Sequence, residues 1–175
     1  MPFDAVFLSA VTQELQSACG ARIGALISRN RGIMQGALKL AQARLSVATL
    51  DQLGAAALYG VDPSYFDATR NEYRRRRDTC YRKLLEIPGI VTTEPQGAFY
   101  TMAKLPVDST ERFQLYLLQE FEDNGETVMF APGSGFYATP GAGTSEIRIA
   151  YVRCVEELER SLTLLRLAIE RYNQK

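Results

Sequence analysis

The sequence contains no histidine among its 175 residues. Without an imidazole, serine–histidine–aspartate and cysteine–histidine catalysis are excluded, and so are histidine-ligated zinc sites. The three cysteines, Cys19, Cys80 and Cys154, lie far apart and predict neither a disulfide framework nor a CxxC metal site. Acid–base chemistry must therefore come from carboxylates, tyrosine, lysine or a bound cofactor.

The chain also lacks net charge, because 20 basic residues balance 20 acidic residues. No excess of positive charge favours nucleic acid or an anionic membrane. No apolar run has the length of a membrane span, and the N-terminus lacks a basic-then-apolar signal pattern. We therefore expect a cytoplasmic protein with reduced thiols and with no nucleic-acid or membrane partner.

The first half of the chain reads as one strand followed by helices. Residues 21–28 have the apolar content of a buried strand, and apolar residues recur at helical spacing over residues 32–46. Thr49 and Gln52 have the spacing of a capping box for a second helix that stops at Gly60. The strand has no predicted partner in this half, so this half is not expected to close a core by itself.

The second half alternates strands and helices after one long helix. Residues 62–88 read as that helix, with Asp62 as its cap and Pro63 in its first turn. The elements expected after it are strands at 90–95 and 97–105, a helix at 108–125 capped by Asp108 and Glu111, strands at 127–133 and 146–152, and a helix at 155–172 with Leu158, Leu162, Leu165 and Ile169 on one face. This order predicts an α/β protein whose second half can close its own core.

Three blocks of the sequence together resemble one family. They are GARIG at 20–24, EPQGAFY at 94–100 and MFAPGSGFYATPGAGTSEIRIAYV at 129–152. In this order and spacing they resemble the C-terminal part of the class I/II, aspartate-aminotransferase-like enzymes of fold type I, which use pyridoxal phosphate. The resemblance extends over about residues 17–172.

The resemblance implies a domain organisation and a fold. Residues 1–16 match the family poorly and are expected to be an atypical leader. Residues 17–61 are expected to be a remnant of the large cofactor-binding domain, with its C-terminal strand, and residues 62–88 the long interdomain helix. Residues 89–175 are then the small domain, an α+β unit of two layers. The resemblance thus implies a truncated form of the enzyme.

Two arginines carry the binding roles that the resemblance implies. Arg22 is expected to bind the phosphate of the cofactor, because a guanidinium gives two parallel charge-assisted hydrogen bonds to an anion. Arg148 is expected to bind the α-carboxylate of an amino-acid substrate. The alternatives are an ordinary solvated arginine at position 22, and a structural ion pair of Arg148 with Glu146 or Glu156.

The catalytic lysine of the family has no counterpart at the matching position. That lysine lies eight residues before the arginine of the first block, where this chain has Glu14, and a shift of one residue gives Gln13. Only an amine condenses with the cofactor aldehyde. The first lysine in the chain is Lys39. The site prediction therefore contains no catalytic residue and no metal ligand.

The functional hypothesis is a C-terminal segment of an amino-acid aminotransferase, which transfers an amino group to a 2-oxo acid through pyridoxal phosphate. It is expected to be inactive alone and not to bind the cofactor covalently. Its partners in an intact enzyme are an amino acid and a 2-oxo acid, and exposed apolar helix faces favour a homo-oligomer. The alternative is a non-enzymatic module that binds carboxylates or dimerises.

The absence of an amine at position 14 generates a first prediction. We expect the chain, incubated with pyridoxal phosphate and reduced with borohydride, to carry no phosphopyridoxyl group at a defined lysine, because none is placed to capture the aldehyde. Mass spectrometry of proteolytic peptides measures this. Stoichiometric modification of one lysine would contradict the prediction.

Overall fold

The computed structural model describes residues 7–9 and 22–175, and the chain divides into two compact units, Met1–Ala68 and Thr69–Lys175. Among these described residues no helix combines the length and apolar character that crossing a bilayer requires. The same residues contain no cluster of three side chains suited to a metal ion.

A two-stranded antiparallel ribbon lies in the first unit. β1 (Phe7–Ser9) pairs with β2 (Ala25–Ile27), and Leu8 lies opposite Leu26. The strand predicted at 21–28 is therefore present in its second half. The prediction that it has no partner was wrong, since the pairing segment lies in the stretch interpreted as a leader. The prediction that it is buried was also wrong, because Ile27 is 61% exposed.

The helix predicted at 32–46 is confirmed as α1 (Arg31–Arg44). Asn30 caps it, and its side chain accepts a hydrogen bond from the backbone N–H of Ile33 at 3.2 Å. An asparagine at this position satisfies one of the backbone donors that the first turn leaves without a partner. The local sequence thus determines where the helix begins.

α2 (Thr49–Ala57) begins without the predicted capping box. Ala48 is the N-cap residue and makes no side-chain capping hydrogen bond, while the amide of Gln52 donates to the carbonyl of Val47 at 2.7 Å. Thr49 therefore lies inside the helix rather than before it, and the chain continues into a single 3-10 turn at Leu58–Gly60. The expected stop at Gly60 agrees with the end of that turn.

Neither α1 nor α2 contains a buried residue within the described part of the first unit. Several large apolar side chains of this unit are more than half exposed to solvent: Leu38, Leu40, Leu45, Leu50, Leu53 and Tyr59. Exposed apolar side chains in this number are typical of a surface that another segment or partner covers.

The long helix is α3 (Pro63–Leu85). The carboxylate of Asp62 accepts from the backbone N–H of Ser64 at 2.8 Å, which confirms the predicted cap, and hydrogen bonds from Ser64 lower the pKa of Asp62. Near its C-terminus the helix buries Cys80 and Leu84 in the second unit.

The second unit contains a four-stranded antiparallel sheet in the order β3-β4-β6-β5. The strands are β3 (Val91–Thr92), β4 (Tyr100–Lys104), β5 (Ala131–Pro132) and β6 (Glu146–Ala150). All four predicted strands are present, and each is shorter than predicted. In the register Arg148 lies opposite Met102 on one side and opposite Ala131 on the other.

α4 (Thr110–Gln119) is shorter than the helix predicted at 108–125, and its cap lies one residue later than predicted. Ser109 is the N-cap residue and accepts from the backbone N–H of Arg112 at 3.4 Å. The capping box of Asp108 and Glu111 was therefore wrong. Glu111 instead accepts a hydrogen bond from the distant Ser134.

One hydrophobic core joins the helices and one face of the sheet. α5 (Val155–Tyr172) confirms the last predicted helix, and its predicted apolar face is buried. Side chains from α3, α4, α5, β4 and β6 fill the core, among them Leu84, Ala103, Phe113, Leu117, Ile147, Leu158, Leu162, Leu165 and Ile169. The second unit therefore has the two layers expected of an α+β domain. The domain boundaries proposed from the sequence stay a prediction.

Two adjacent leucines of α3 provide a test of this core. Leu84 is fully buried, whereas Leu85 is 55% exposed. We expect Leu84→Ala to lower the free energy of unfolding by about 2–5 kcal/mol, because it leaves a cavity in a packed interior. The control, Leu85→Ala, has the same chemical change and should cost less than about 1 kcal/mol. Urea unfolding followed by circular dichroism measures both, and equal losses would contradict the assigned core.

Candidate functional site

Arg148 projects from the middle of β6. Side chains alternate between the two faces of a strand, so Ile147 and Arg148 face opposite ways. Ile147 is fully buried in the core, and Arg148 is only partly buried. This alternation places the guanidinium on the sheet face away from the core.

Two aromatic rings contact the guanidinium of Arg148. Its central carbon lies 4.7 Å from the ring centroid of Tyr100 and 4.5 Å from that of Phe136. Tyr100 belongs to β4, and Phe136 ends a single 3-10 turn at Ser134–Phe136. A guanidinium over aromatic faces is held by cation–π attraction while its in-plane N–H donors stay available for a planar anion.

Arg148 has no carboxylate within ion-pair distance among residues 7–9 and 22–175. Glu146 accepts instead from the hydroxyl of Tyr137, and that hydrogen bond raises the pKa of Tyr137. Glu156 has its pKa lowered first by its own backbone N–H and then by Cys154. The two partners considered from the sequence are therefore both engaged elsewhere.

The loop at 133–145, which carries Phe136, is tied to its surroundings at several points. The hydroxyl of Ser134 donates to Glu111 of α4 at 2.6 Å. The buried Thr110 donates its hydroxyl to the carbonyl of Thr144 at 3.0 Å. The N-terminus of α4 therefore holds both ends of the loop and fixes where Phe136 lies.

A buried tyrosine fixes the turn before β4. The hydroxyl of Tyr151 donates to the carbonyl of Ala98 at 3.0 Å, and Ala98 has a positive φ of 57°. Burial raises the pKa of Tyr151. This contact joins the end of β6 to the residues that lead into Tyr100. Phe99 packs with Tyr73, with the two ring centroids 5.9 Å apart.

Cys80 lies in the core beside this tyrosine and has no chemical role at the site. Burial raises the pKa of its thiol to about 12. A thiol with this pKa stays protonated at neutral pH, and the thiolate is the reactive form.

A cavity of about 280 Å³ lies beside Arg148, between β6, residues 128–131 and α5. Apolar side chains form most of its wall, including Phe130, Leu158 and Leu162. Because the buried Ile147 also lines it, the cavity lies on the core side of β6, and the guanidinium of Arg148 lies over Tyr100 and Phe136 on the other face.

Arg22 lies in the first unit, just before β2, and is exposed. Its backbone φ is +52°, a left-handed conformation that costs a non-glycine residue roughly 1–2 kcal/mol. Glu14, the position matched to the catalytic lysine, lies outside the described residues. The roles assigned to Arg22, Arg148 and Glu14 stay predictions.

Comparison with known proteins agrees with this fold. The family description "Aminotransferase class I and II" matches residues 16–163. The aspartate aminotransferase of Bacillus subtilis is 29% identical over 176 aligned positions, which cover 96% of this chain and 42% of that protein. The alanine aminotransferase of Pyrococcus furiosus superposes with a TM-score of 0.72 at 28% identity, over 91% of this chain and 41% of that one.

A further solved structure shares the fold at lower identity. It is the α-aminoadipate aminotransferase of Thermus thermophilus, with a TM-score of 0.76 and 21% identity over 95% of this chain and 42% of that one. That structure was determined as a complex with N-(5′-phosphopyridoxyl)-L-leucine.

The chain has the fold of the corresponding part of the transferases of fold type I, the pyridoxal-phosphate-dependent class. The chain belongs to the class I and II aminotransferase family. It spans about 42% of the length of the Bacillus subtilis relative. The resemblance found in the sequence and the predicted α/β class are both confirmed.

The close packing of the 133–145 loop generates a prediction with a matched control. Gly143 and Gly141 both have positive φ, +71° and +80°. A Cβ on Gly143 would lie 2.6 Å from the ring of Tyr137, whereas one on Gly141 would meet nothing within 4 Å. We expect Gly143→Ala to destabilise the protein by about 1–3 kcal/mol more than Gly141→Ala. Thermal unfolding measures the difference, and equal losses would show that the ring does not pack against Gly143.

Proposed function

We propose that this chain supplies the substrate-carboxylate site of an amino-acid aminotransferase and that it does not catalyse transamination alone. One observation carries the proposal: a guanidinium oriented by two aromatic rings, with no carboxylate partner in the described chain, at the position where the family resemblance expects a carboxylate-binding arginine. Arg148 is well suited to a carboxylate, since its fork gives two parallel hydrogen bonds. The ligands are then amino acids and 2-oxo acids.

The residues of the chain fit the family's cofactor only in part. Arg22 is suited to a phosphate dianion, and we assign it that contact. Covalent capture needs an amine, and the sequence has Glu14 where the family has lysine. Two later lysines are engaged in ion pairs, Lys83 with Glu86 and Lys175 with Glu120. The chain's own residues therefore hold an anion but do not complete the chemistry of the cofactor.

The proposal also includes the oligomeric state of the chain and its place in the cell. The exposed apolar side chains of α1 and α2 favour association with another polypeptide, and we propose a homo-oligomer. A cytoplasmic location fits the reactants and the widely separated cysteines.

A non-enzymatic carboxylate-binding or dimerisation module is the second candidate. The observation that favours it is the core of the second unit, which is formed by side chains of that unit alone. Formation of a 2-oxo acid from an amino acid by the purified chain with pyridoxal phosphate would contradict both candidates, because both require the chain alone to be inactive.

Titration with succinate tests the proposed carboxylate site. We expect the chain to bind succinate and Arg148→Ala to weaken binding at least about tenfold, because hydrogen bonds to charged groups contribute about 1.5–3 kcal/mol each. Isothermal titration calorimetry measures both. The neutral diamide of succinate should not bind.

Arg166→Ala is the matched control. Arg166 is an arginine of α5 that forms an ion pair with Glu170 at 2.7 Å, so its removal changes the net charge equally without touching the site. If Arg148→Ala binds succinate as tightly as the Arg166 variant does, the assigned carboxylate site is wrong.

A further inference from the structure

Two opposite charges lie close together on one face of β6. Glu146 and Arg148 are two residues apart, so their side chains leave the same face, roughly 6.6 Å apart along the strand. Both side chains are long enough to meet across this distance. An ion pair between them would occupy the donors that a ligand carboxylate needs.

In the structure Glu146 is bonded to Tyr137 and not to Arg148. The hydroxyl of Tyr137 donates to the Oε2 atom of Glu146, while Arg148 remains over Tyr100 and Phe136. A phenol is neutral, so it satisfies the carboxylate without adding a competing cation next to Arg148. The contact thus separates the two charges of β6.

We propose that Tyr137 is a positioning residue for carboxylate binding: by donating to Glu146 it keeps that side chain off Arg148 and leaves the guanidinium available to a ligand. This inference rests on the proposed carboxylate-binding role of Arg148. It adds a function for a tyrosine that follows directly after Phe136, the ring that contacts the same guanidinium.

Backbone hydrogen bonds on both sides of Glu146 hold the loop that carries Tyr137 against β6. The N–H of Gly133 donates to the carbonyl of Glu146 at 2.7 Å, and the N–H of Glu146 donates to the carbonyl of Gly143 at 3.0 Å. A Cβ on Gly133 would lie 2.7 Å from the same carbonyl oxygen. Both glycines therefore let the loop close against β6, and this closure brings Tyr137 to Glu146.

Lys104 is a second cation close enough in the sheet to compete for the carboxylate of Glu146. It lies directly opposite Glu146 in the β4–β6 register, yet no ion pair forms between them among the described residues. Glu146 thus has a cation two residues along its own strand and another across the sheet, and its hydrogen bond goes to Tyr137 instead. The geometry favours the phenol over both charges.

The test compares Tyr137→Phe with the double variant Tyr137→Phe/Glu146→Gln in the full chain. Succinate is the probe, and calorimetry measures its dissociation constant. Tyr137→Phe keeps the ring but releases the carboxylate, so we expect binding to weaken about 3–10-fold. The second change removes the competing charge, so the double variant should recover to within about twofold of the parent chain. Failure of the double variant to recover would overturn the proposal.

Tyr172→Phe is the matched control. Tyr172 also donates its hydroxyl to a carboxylate, Asp108, at 2.9 Å, but it lies on α5 and does not touch Arg148 or its rings. It should bind succinate like the parent. Equal weakening in Tyr172→Phe and Tyr137→Phe would show a general loss of stability and would overturn the positioning role.

A ligand-free measurement separates this inference from the proposed function. The side-chain Nε–Hε signal of Arg148 in the nuclear magnetic resonance spectrum, assigned through Arg148→Lys, should shift in Tyr137→Phe and return in the double variant. A parent chain that does not bind succinate contradicts the proposed function. An Arg148 signal that is unchanged in Tyr137→Phe contradicts the role of Tyr137, whatever the chain binds.

Discussion

The alternation of side chains along β6 is the constraint on which the second unit depends. Ile147 must enter the core, and this requirement places Arg148 on the opposite face. A slip of one residue in the β4–β6 register would bury the guanidinium without an anion and expose the isoleucine. The burial of Ile147 therefore both stabilises the domain and determines the face of the sheet on which Arg148 lies.

The sequence predicts those parts of the fold in which a local pattern has one interpretation. One face of a helix is the only arrangement that fits the spacing of four apolar residues near the C-terminus, and in the structure α5 buries all four: Leu158, Leu162, Leu165 and Ile169. Asp62 before Pro63 likewise has one reading, as a helix start. The side of the strand on which Arg148 lies was predictable for the same reason. Ile147 and Ile149 flank it, and if they face the core, Arg148 faces the other way.

Other parts depend on contacts between distant residues. Ser109 caps α4 although Asp108 and Glu111 have the spacing of a capping box, and the side chain of Glu111 accepts a hydrogen bond from Ser134 instead of completing that box. The pairing of β1 with β2 could not be found, since three-residue strands carry too little pattern. The aromatic contacts of Arg148 could not be predicted without knowledge of the β4–β6 register. The alternation of Tyr100, Met102 and Lys104 was the signal that could have placed Tyr100 beneath the guanidinium.

The proline of β5 has a consequence for how the sheet meets other molecules. Because the N–H of Gly133 points to β6, the nitrogen of Pro132 faces the other way, towards the outer side of the described sheet. Proline has no backbone N–H to donate to an incoming strand. A strand that paired with this edge of the sheet would therefore lack one hydrogen bond. This edge of the sheet thus pairs less readily with a further strand, and it lies at the short segment that leads into the loop carrying Phe136.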